Sequence, residues 1–412
     1  MKSFIYKCLV KLSRIVRKIP ILDILYINFY ALCRGNKIIK LKPKTFKALC
    51  EEKGFEFYII EDKQERMVYE PSFYNMRKGE KHYYKSPNIY VSILKNVIVH
   101  GGSGIIISDE NAITDVCEND IDNRRNYSAG TILRGTKHCF YVEASKDIIE
   151  LNENVINLCG VAANNYFHLT VEILSRYGYL RDYLKEKEWS ILLDEASQEH
   201  RQYIELIETI VGGIKKIIVP KGKRILCKCV LYPSINIWLP FNIRKKNDFQ
   251  LSDNVLALSA VQNIRNATSS IREKEKGRKI FISRKNTVLS RIENEQQVIE
   301  LFKQAGFDII CTENLSFEEQ VRLFSSASCV AGASGAAMTN IIYCNPGTIL
   351  ACIIPQKYNF CIYSSIAHML ECKTLYLDAE VSHKGTTISD DVCRVDIDNC
   401  RLWIEYLNKL CK

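Results

Sequence analysis

Residues 329–354, CVAGASGAAMTNIIYCNPGTILACII, contain two apolar segments on either side of a turn rich in glycine and alanine. Short apolar runs bounded by such turns are typical of buried strands, so we expect strands at 329–331 and 348–354. The turn between them leads into a helical segment. This order of strand, turn, helix and strand predicts a parallel sheet covered by helices.

The same alternation continues on both sides of this stretch. A helix signal is clearest at Ser316, an N-cap residue with Glu319 three positions later. Strands separated by helices imply a doubly wound, parallel α/β sheet. The further predicted elements are strands at 279–283, 307–311 and 374–377 and helices at 294–305, 316–325, 364–370 and 398–410.

The N-terminal half is less regular. Residues 50–150 contain short apolar runs broken by polar stretches, which indicates a β-rich region. Residues 151–240 alternate between helical and strand patterns, with a helix predicted at 166–185, and a further helix near 252–265 connects to the C-terminal part. The predicted units are a basic segment at 1–47, a domain at 48–250, a Rossmann-type domain at 270–395 and a C-terminal helix at 396–412 that crosses back.

The composition is that of an ordinary folded protein, with 412 residues, 47% apolar and 25% charged. The formal net charge of +10 is concentrated in residues 1–47, which contain twelve basic residues and one acidic residue, Asp23. The rest of the chain is close to neutral. This distribution argues against a nucleic-acid channel and favours contact with a local anionic surface.

The beginning of the chain predicts a basic amphipathic helix. Lys7, Lys11, Arg14 and Lys18 fall on one stripe, and apolar side chains cluster on another face. Such a helix either lies in the headgroup plane of an anionic membrane or packs on the protein with its cations solvated. The apolar stretch at 20–33 is too short to span a bilayer, and no signal peptide is predicted. We expect a peripheral protein at the inner face of the cell membrane.

The 17 cysteines are scattered, and no pair has the Cys-x-x-Cys spacing of a zinc site or redox motif. Many lie in apolar runs, which indicates a reducing compartment such as the cytoplasm. Asp120 with Asp122 and Asp396 with Asp398 have the spacing of acidic metal-binding pairs. Each pair also fits a turn or a helix cap, so no metal site is predicted.

The first motif with catalytic potential is Asn165-Tyr-Phe-His168, followed by Glu172 and Arg176. On an α-helix, His168, Glu172 and Arg176 share one polar stripe because they are spaced at i, i+4 and i+8. An imidazole paired with a carboxylate suits a general base that activates a hydroxyl group. The alternative is a hydrogen-bond network at the start of a helix, without a catalytic part.

The second motif is Ser283-Arg284-Lys285, at the carboxyl end of a predicted strand, with Arg291 in the loop that follows. Ligands of open α/β sheets bind at this end of the strands. The two arginines would neutralise an anionic, phosphate-bearing ligand, for which a guanidinium offers a two-pronged hydrogen bond. Alternatively they are two solvated loop residues.

The third motif is the turn at 332–340, GASGAAMTN. Small residues let a backbone approach a ligand closely, and the free amides at the start of a helix attract phosphate. The turn matches neither Gly-x-Gly-x-x-Gly nor a P-loop. On its own it also fits a tight connection between a strand and a helix.

Together with the stretches at 315–321 and 346–348, these motifs resemble glycosyltransferase family 61 in order and spacing, over roughly residues 95–355. The resemblance implies a GT-B-like architecture, with two Rossmann-type domains facing across a cleft. It also implies inverting transfer of a hexose or pentose from a nucleotide sugar, expected to be a UDP-sugar, without a metal or other cofactor. The expected acceptor is a hydroxyl of a glycan or lipid-linked molecule, as in capsule or lipopolysaccharide synthesis. A nucleotide-sugar epimerase and a non-catalytic, membrane-associated sugar-nucleotide binder are the alternatives.

The resemblance also assigns roles to residues. His168 with Glu172 would face the acceptor, but Glu172 stands where an Asp is common, which changes its reach. Ser334 stands where many relatives have His, so it would hold the diphosphate more weakly unless Lys285 compensates. The donor-binding set implied by the resemblance is Asn165, Arg176, Ser283, Arg284, Lys285, Arg291, Glu319, Ser334, Gly335, Ala336, Thr339 and Asn340.

Overall fold

The computed structural model describes residues 20–115, 127–185, 187–240, 249–275, 277–284, 291–385 and 390–411. The predicted basic helix at the start of the chain, Lys285, and the pair Asp120 and Asp122 lie outside these residues. In the part that is described, no helix is long and apolar enough to cross a bilayer. The fifteen described cysteines are all free thiols.

The N-terminal half is built around one large mixed sheet. Residues 50–150 are rich in strands, as predicted. The elements are α1 (Pro20–Cys33), β1 (Lys37–Lys44), α2 (Phe46–Lys53), β2 (Glu56–Glu61), β3 (Gln64–Tyr69), β4 (Lys81–Ser86), β5 (Ile89–His100), β6 (Ile106–Ser108), β7 (Asn111–Ile113), β8 (Ile132–Thr136), β9 (Cys139–Ala144), β10 (Ile148–Asn157), a π-helix (His168–Ile173), a 3-10 helix (Leu174–Tyr183), β11 (Ser190–Asp194), α3 (Arg201–Val211), β12 (Lys216–Val219) and β13 (Arg224–Pro233).

This sheet has eleven strands in the order β12-β11-β10-β13-β5-β6-β7-β1-β9-β8, with β2 also paired to β5. The strands β12, β11, β10 and β13 are parallel to one another, and by chain order they run 3-2-1-4, as in half of a Rossmann sheet. Most other pairs are antiparallel. The predicted Rossmann-type N-terminal domain is therefore four parallel strands within a larger mixed sheet, because the strand-rich residues before β10 extend it with hairpins.

The helix predicted at 166–185 is present, but it is not α-helical. The Leu174 amide donates to the Leu169 carbonyl, five residues earlier, as in a π-helix, and the chain then tightens into a 3-10 helix. The predicted stripe at i, i+4 and i+8 assumes 3.6 residues per turn. Because the number of residues per turn changes along this segment, the stripe does not extend to Arg176.

The C-terminal half matches the predicted alternation of strands and helices. Each element predicted from residue 279 onward is present, with its ends within three residues of the prediction. After a 3-10 turn (Leu251–Asn254) and α4 (Leu258–Ala267), the elements are β14 (Arg278–Ile282), α5 (Glu295–Gln304), β15 (Asp308–Ile310), α6 (Phe317–Ser325), β16 (Ala327–Ala333), a 3-10 helix (Ala336–Tyr343), β17 (Ile349–Ile353), α7 (Ile362–Met369), β18 (Lys373–Thr374), β19 (Glu380–His383), β20 (Val392–Arg394) and α8 (Ile397–Leu410).

The central C-terminal sheet has the strand order β15-β14-β16-β17-β18, and all of its pairs are parallel. By chain order this is 2-1-3-4-5, one of the two common doubly wound arrangements. The helices α5 and α8 cover one face, where Phe302 packs between Phe281 and Trp403. The helices α6 and α7 cover the other face. The predicted doubly wound, parallel sheet is confirmed.

The two halves share one apolar core. Residues of the N-terminal π-helix and of α6 and α7 belong to the same buried cluster, and the Ser364 hydroxyl in α7 donates to the Tyr69 carbonyl in β3 at 2.6 Å. The C-terminal helix α8 was predicted to cross back over another domain. It packs on the C-terminal sheet against α5, and its Tyr406 ring lies 5.8 Å from the Tyr74 ring of the N-terminal half.

Candidate functional site

The C-terminal sheet provides a crevice between β14 and β16. In a 2-1-3-4-5 sheet, the connections from these two neighbouring strands leave to opposite faces, so a gap opens beyond their carboxyl ends. Ser283 and Arg284 directly follow β14, and Ser334 and Gly335 directly follow β16. The second and third sequence motifs therefore meet at one end of one sheet.

Arg284 and Gly335 lie in direct contact. A Cβ atom added to Gly335 would be 2.5 Å from Nη1 of Arg284, which is closer than real Cβ contacts allow. The Gly335 backbone is extended, with φ 172°, so its conformation does not require glycine. The Arg284 guanidinium occupies the space of a side chain at position 335, so it would have to move if a larger residue replaced this glycine.

Glu295, in the first turn of α5, holds the end of β14 in place. Its Oε1 accepts from the Arg284 amide at 2.7 Å and from the Ser283 hydroxyl at 3.3 Å. Ser283 is buried and also donates its amide to the Ile310 carbonyl. Ser283 was predicted to bind the donor. In the structure, Ser283 and Glu295 instead hold the backbone of Arg284 in position.

A second guanidinium lies nearby. Burial lowers the pKa of Arg284 from its ordinary value, and the like charge of Arg291 adds to this effect. The Nε of Arg291 is buried, and no acceptor among the described residues bonds it. Two neighbouring cations, one with a buried donor left unsatisfied, form a site that favours an anion.

The helix after Gly335 begins at the same crevice. No side chain caps the 3-10 helix Ala336–Tyr343, and the first amides of any helix lack partners within it. Ser334 and Ala336 are partly exposed beside these amides. Thr339 is fully buried next to the Tyr363 hydroxyl. Its side chain is therefore not exposed in the crevice.

Asn340 does not face the crevice. It is fully buried, accepts a hydrogen bond from the Tyr166 hydroxyl at 2.7 Å and donates to Gln320 Oε1 at 2.9 Å. Tyr166 belongs to the first motif and Gln320 to α6. Asn340 was predicted to bind the donor, but in the structure it is one of the residues that connect the first motif to the C-terminal half.

His168 and Glu172 form a hydrogen-bonded pair. The distance from His168 Nδ1 to Glu172 Oε2 is 2.6 Å, and both side chains are mostly buried. The pair begins the π-helix, a type of turn that is frequent at functional sites. The ring of Phe167, the preceding residue, contacts the Tyr363 ring with centroids 6.2 Å apart. The charges of Arg284 and Arg291 act on Tyr363, so this ring contact connects the residue before His168 to the neighbourhood of the two arginines.

Three predicted donor-binding residues lie elsewhere. The side chain of Asn165 accepts from the Phe167 amide at 2.9 Å, at the start of the helix. Glu319 is exposed and forms a capping box with Ser316, as the sequence predicts for a helix start. Arg176 is buried, and its guanidinium donates to the backbone carbonyls of Ile173, Cys159 and Pro233.

Arg176 belongs to a second crevice, in the N-terminal sheet. Asp194, at the end of β11, accepts from the amides of Gly102 at 2.5 Å and Gly160 at 2.6 Å. Burial raises the pKa of the Asp194 carboxyl to about 7, although these hydrogen bonds oppose the effect. A small cavity of about 90 Å³ lies beside this region, and its lining includes Asp115, Glu172, Arg176, Tyr232 and Trp238.

Metal ligands are sparse in the described part of the chain. One group has ligand atoms close enough to share an ion, Glu70, Glu80 and His82, and Glu70 is already paired with Arg77. Asp396 caps α8 by accepting from the Asn399 amide at 2.9 Å. The helix-cap interpretation of that acidic pair is confirmed.

Some residues of the site were not singled out from the sequence. Glu295 follows Arg291 by four residues, and its place in the first turn of a helix was the available signal. Asp194 directly follows a buried strand, where the carboxyl-end rule would have found it. Tyr363 and Gln320 have no local signal, because their roles depend on contacts with residues distant in sequence.

The C-terminal half has the doubly wound class of α/β fold, in which ligands bind beyond the carboxyl ends of the strands, and the crevice lies at that position. The family model described as Glycosyltransferase 61 matches residues 166–351. This match runs from the His168 helix through the Arg284 and Gly335 motifs and confirms the predicted resemblance to glycosyltransferase family 61. No curated protein matches the chain.

Proposed function

We propose that this protein is an inverting glycosyltransferase that moves a sugar from a nucleotide-sugar donor to a hydroxyl of a glycan or lipid-linked acceptor. The observation that carries the proposal is the contact between Arg284 and Gly335 at the crevice of the C-terminal sheet. Arg291, whose Nε has no acceptor among the described residues, lies near enough for its charge to act on Arg284. The family match supports transfer of a sugar as the reaction.

The donor side of the mechanism follows from the leaving group. When the bond from the anomeric carbon to the diphosphate breaks, negative charge grows on the phosphate oxygens, and cations and amides must stabilise it. Arg284, Arg291 and the first amides after Gly335 would supply this stabilisation. We expect a UDP-sugar as donor, with the arginines in the role that a divalent metal has in other transferases.

The acceptor side requires a base. With Nδ1–H donated to Glu172, the His168 imidazole is held in the tautomer whose Nε2 has a lone pair for the acceptor proton. The carboxylate also stabilises the imidazolium that results. A direct attack by the activated hydroxyl on the face opposite the diphosphate would invert the anomeric configuration.

A GT-B-like arrangement is consistent with the contacts between the halves. The hydrogen bond from Tyr166 to Asn340 and the ring contact of Phe167 with Tyr363 connect the motif of the proposed base to the donor turn. We further propose that the reaction contributes to surface polysaccharide synthesis on the cytoplasmic side of the membrane.

The first experiment is a calorimetric comparison of nucleoside diphosphates. We expect UDP to bind the wild-type protein, and Arg284→Met to weaken this binding about tenfold to a hundredfold, the value of lost charge-assisted hydrogen bonds. The matched control is Arg278→Met, at the opposite end of β14, where the arginine pairs with Asp308 at the surface. If Arg284→Met and Arg278→Met bind UDP equally well, the crevice is not the donor site.

The second experiment tests transfer itself. The nucleotide sugar that binds best is incubated with a panel of glycan and lipid-linked acceptors, and the anomeric configuration of the product is read by NMR. An inverted product supports the proposal. A donor converted without any acceptor would indicate an epimerase, and a retained configuration would contradict the single displacement.

A further inference from the structure

Helix α1 carries a row of apolar side chains on its exposed face. Leu22, Leu25, Phe29 and Leu32 have 40%, 61%, 67% and 64% of their surface exposed. Their spacing of three and four residues places them on one side of the helix. Single exposed apolar residues are ordinary, but a continuous row on one helix marks an interaction surface.

The opposite face of α1 is fixed to the body of the protein. Ile27 and Ala31 are buried. Asp23, in the first turn, pairs with Arg134 of β8 at 3.2 Å, and Arg34, just after the helix, pairs with the buried Glu143 of β9 at 3.0 Å. The exposed row is therefore held in one orientation by ion pairs at both ends of the helix.

The surroundings of the row are positively charged. Lys37 and Lys40, which follow α1, are exposed, and the residues preceding α1 contain six basic side chains and no acidic one. The single acid of this part of the chain, Asp23, is already paired. An apolar row flanked by cations matches the boundary between acyl chains and headgroups of an anionic bilayer.

We propose that the exposed row of α1 inserts into the surface of an anionic membrane and sets the orientation of the enzyme on it. At 14 residues, α1 is shorter than the roughly 20 residues needed to span a bilayer, so it lies in the plane of the interface. The proposal differs from an anchor formed by residues 1–19, because here the inserted side chains belong to the folded body.

Charge argues against the two other occupants. A second copy of the chain, bound through the same face, would bring two basic surfaces together. Residues 1–19 folded onto the row would place six more cations next to Lys37 and Lys40. An anionic lipid surface gains from the same charges, with each cation near the headgroups contributing to binding.

The test measures cosedimentation of the full-length protein with vesicles. We expect binding to vesicles that contain equal parts phosphatidylglycerol and phosphatidylcholine, and much weaker binding to phosphatidylcholine alone. The double variant Leu25→Gln and Phe29→Gln should lose about tenfold or more of the partition coefficient, because two large apolar side chains no longer enter the bilayer. The matched control is Leu402→Gln with Tyr406→Gln, two exposed apolar residues of α8.

Three results would overturn the proposal. These are no binding of the wild type to anionic vesicles, equal binding by the α1 double variant, and a dimer in light scattering that the α1 double variant dissociates. Affinity for UDP is measured on every variant. Because the row contains no residue of the crevice, unchanged UDP binding separates this proposal from the proposed transfer reaction.

Discussion

The two sheets each have a crevice where the strand order reverses, but the crevices differ in how their charged groups are satisfied. At the N-terminal crevice, Arg176 is bonded to backbone carbonyls and Asp194 to backbone amides. At the C-terminal crevice, Arg284 lies against a glycine and the Nε of Arg291 has no acceptor among the described residues. Topology therefore provides two positions for a ligand, and the Arg291 Nε without an acceptor among the described residues supports the C-terminal one as the proposed donor site.

The largest expected effect is a loss of turnover, without a loss of donor affinity, when His168 is replaced. We expect His168→Asn to lower kcat about 10²-fold or more while UDP affinity changes less than about twofold, because the proposed role of the imidazole is to take the acceptor proton. Steady-state kinetics and calorimetry measure the two quantities. The control is His138→Asn, an exposed histidine between β8 and β9. A variant of His168 that retains full turnover would exclude it as the base.

The second prediction compares the stability of two variants, each with one arginine of one crevice replaced by methionine. We expect Arg176→Met to lower the free energy of unfolding by about 3 kcal/mol, because several buried carbonyls lose their donor. Arg284→Met should change it by less than about 1 kcal/mol, because removing this charge also relieves its repulsion with Arg291. Urea unfolding at pH 7 measures both values. If both variants lose the same free energy of unfolding, the proposed difference between the two crevices is wrong.

The sequence predicted the C-terminal sheet well because its signals are local. Apolar runs, the Ser316 cap and the glycine-rich turn each depend on residues within a few positions of one another. The meeting of Arg284 with Gly335 was implied by the family resemblance, and it agrees with the rule that strand ends in a parallel sheet lie at the same edge.

The remaining features depend on contacts over long distances in sequence. Tyr166 and Asn340 are 174 residues apart, so no local pattern could show that Asn340 serves the contact between the halves. The segment His168–Ile173 is a π-helix instead of the predicted α-helix; five of its six residues are buried, three of them in the apolar core, while His168 stays partly exposed. Tertiary packing there outweighs helix propensity.

The third prediction concerns pH and the N-terminal crevice. Burial raises the pKa of Asp194 to about 7, above the value of about 3.9 for an unfolded aspartate. Its protonated form therefore stabilises the fold below about pH 4, and this contribution is lost as the pH rises through 7. We expect Asp194→Asn to gain stability relative to the wild type between pH 4 and 7, by up to about 1.4 kcal/mol per pH unit.

Urea midpoints at a series of pH values measure this difference between the two proteins. The comparison of variant with wild type is needed because His100 contributes in the opposite direction. Burial lowers its pKa to about 4, so its contribution is present above about pH 6.5 and is lost as the pH falls toward 4. Parallel stability curves for wild type and variant would show that Asp194 does not titrate in this range.

The smallest expected effect tests the closest contact in the C-terminal crevice. In Gly335→Ala, the new methyl group would lie 2.5 Å from Nη1 of Arg284, and the guanidinium must move away. We expect UDP affinity to fall about tenfold, the loss of one good contact, with little change in stability because the Gly335 backbone is not strained. The control is Gly213→Ala, where nothing lies within 4 Å of an added Cβ. If Gly335→Ala unfolds the protein instead, the glycine serves the packing of the turn; if UDP affinity is unchanged, the Arg284 guanidinium does not contact the diphosphate from this position.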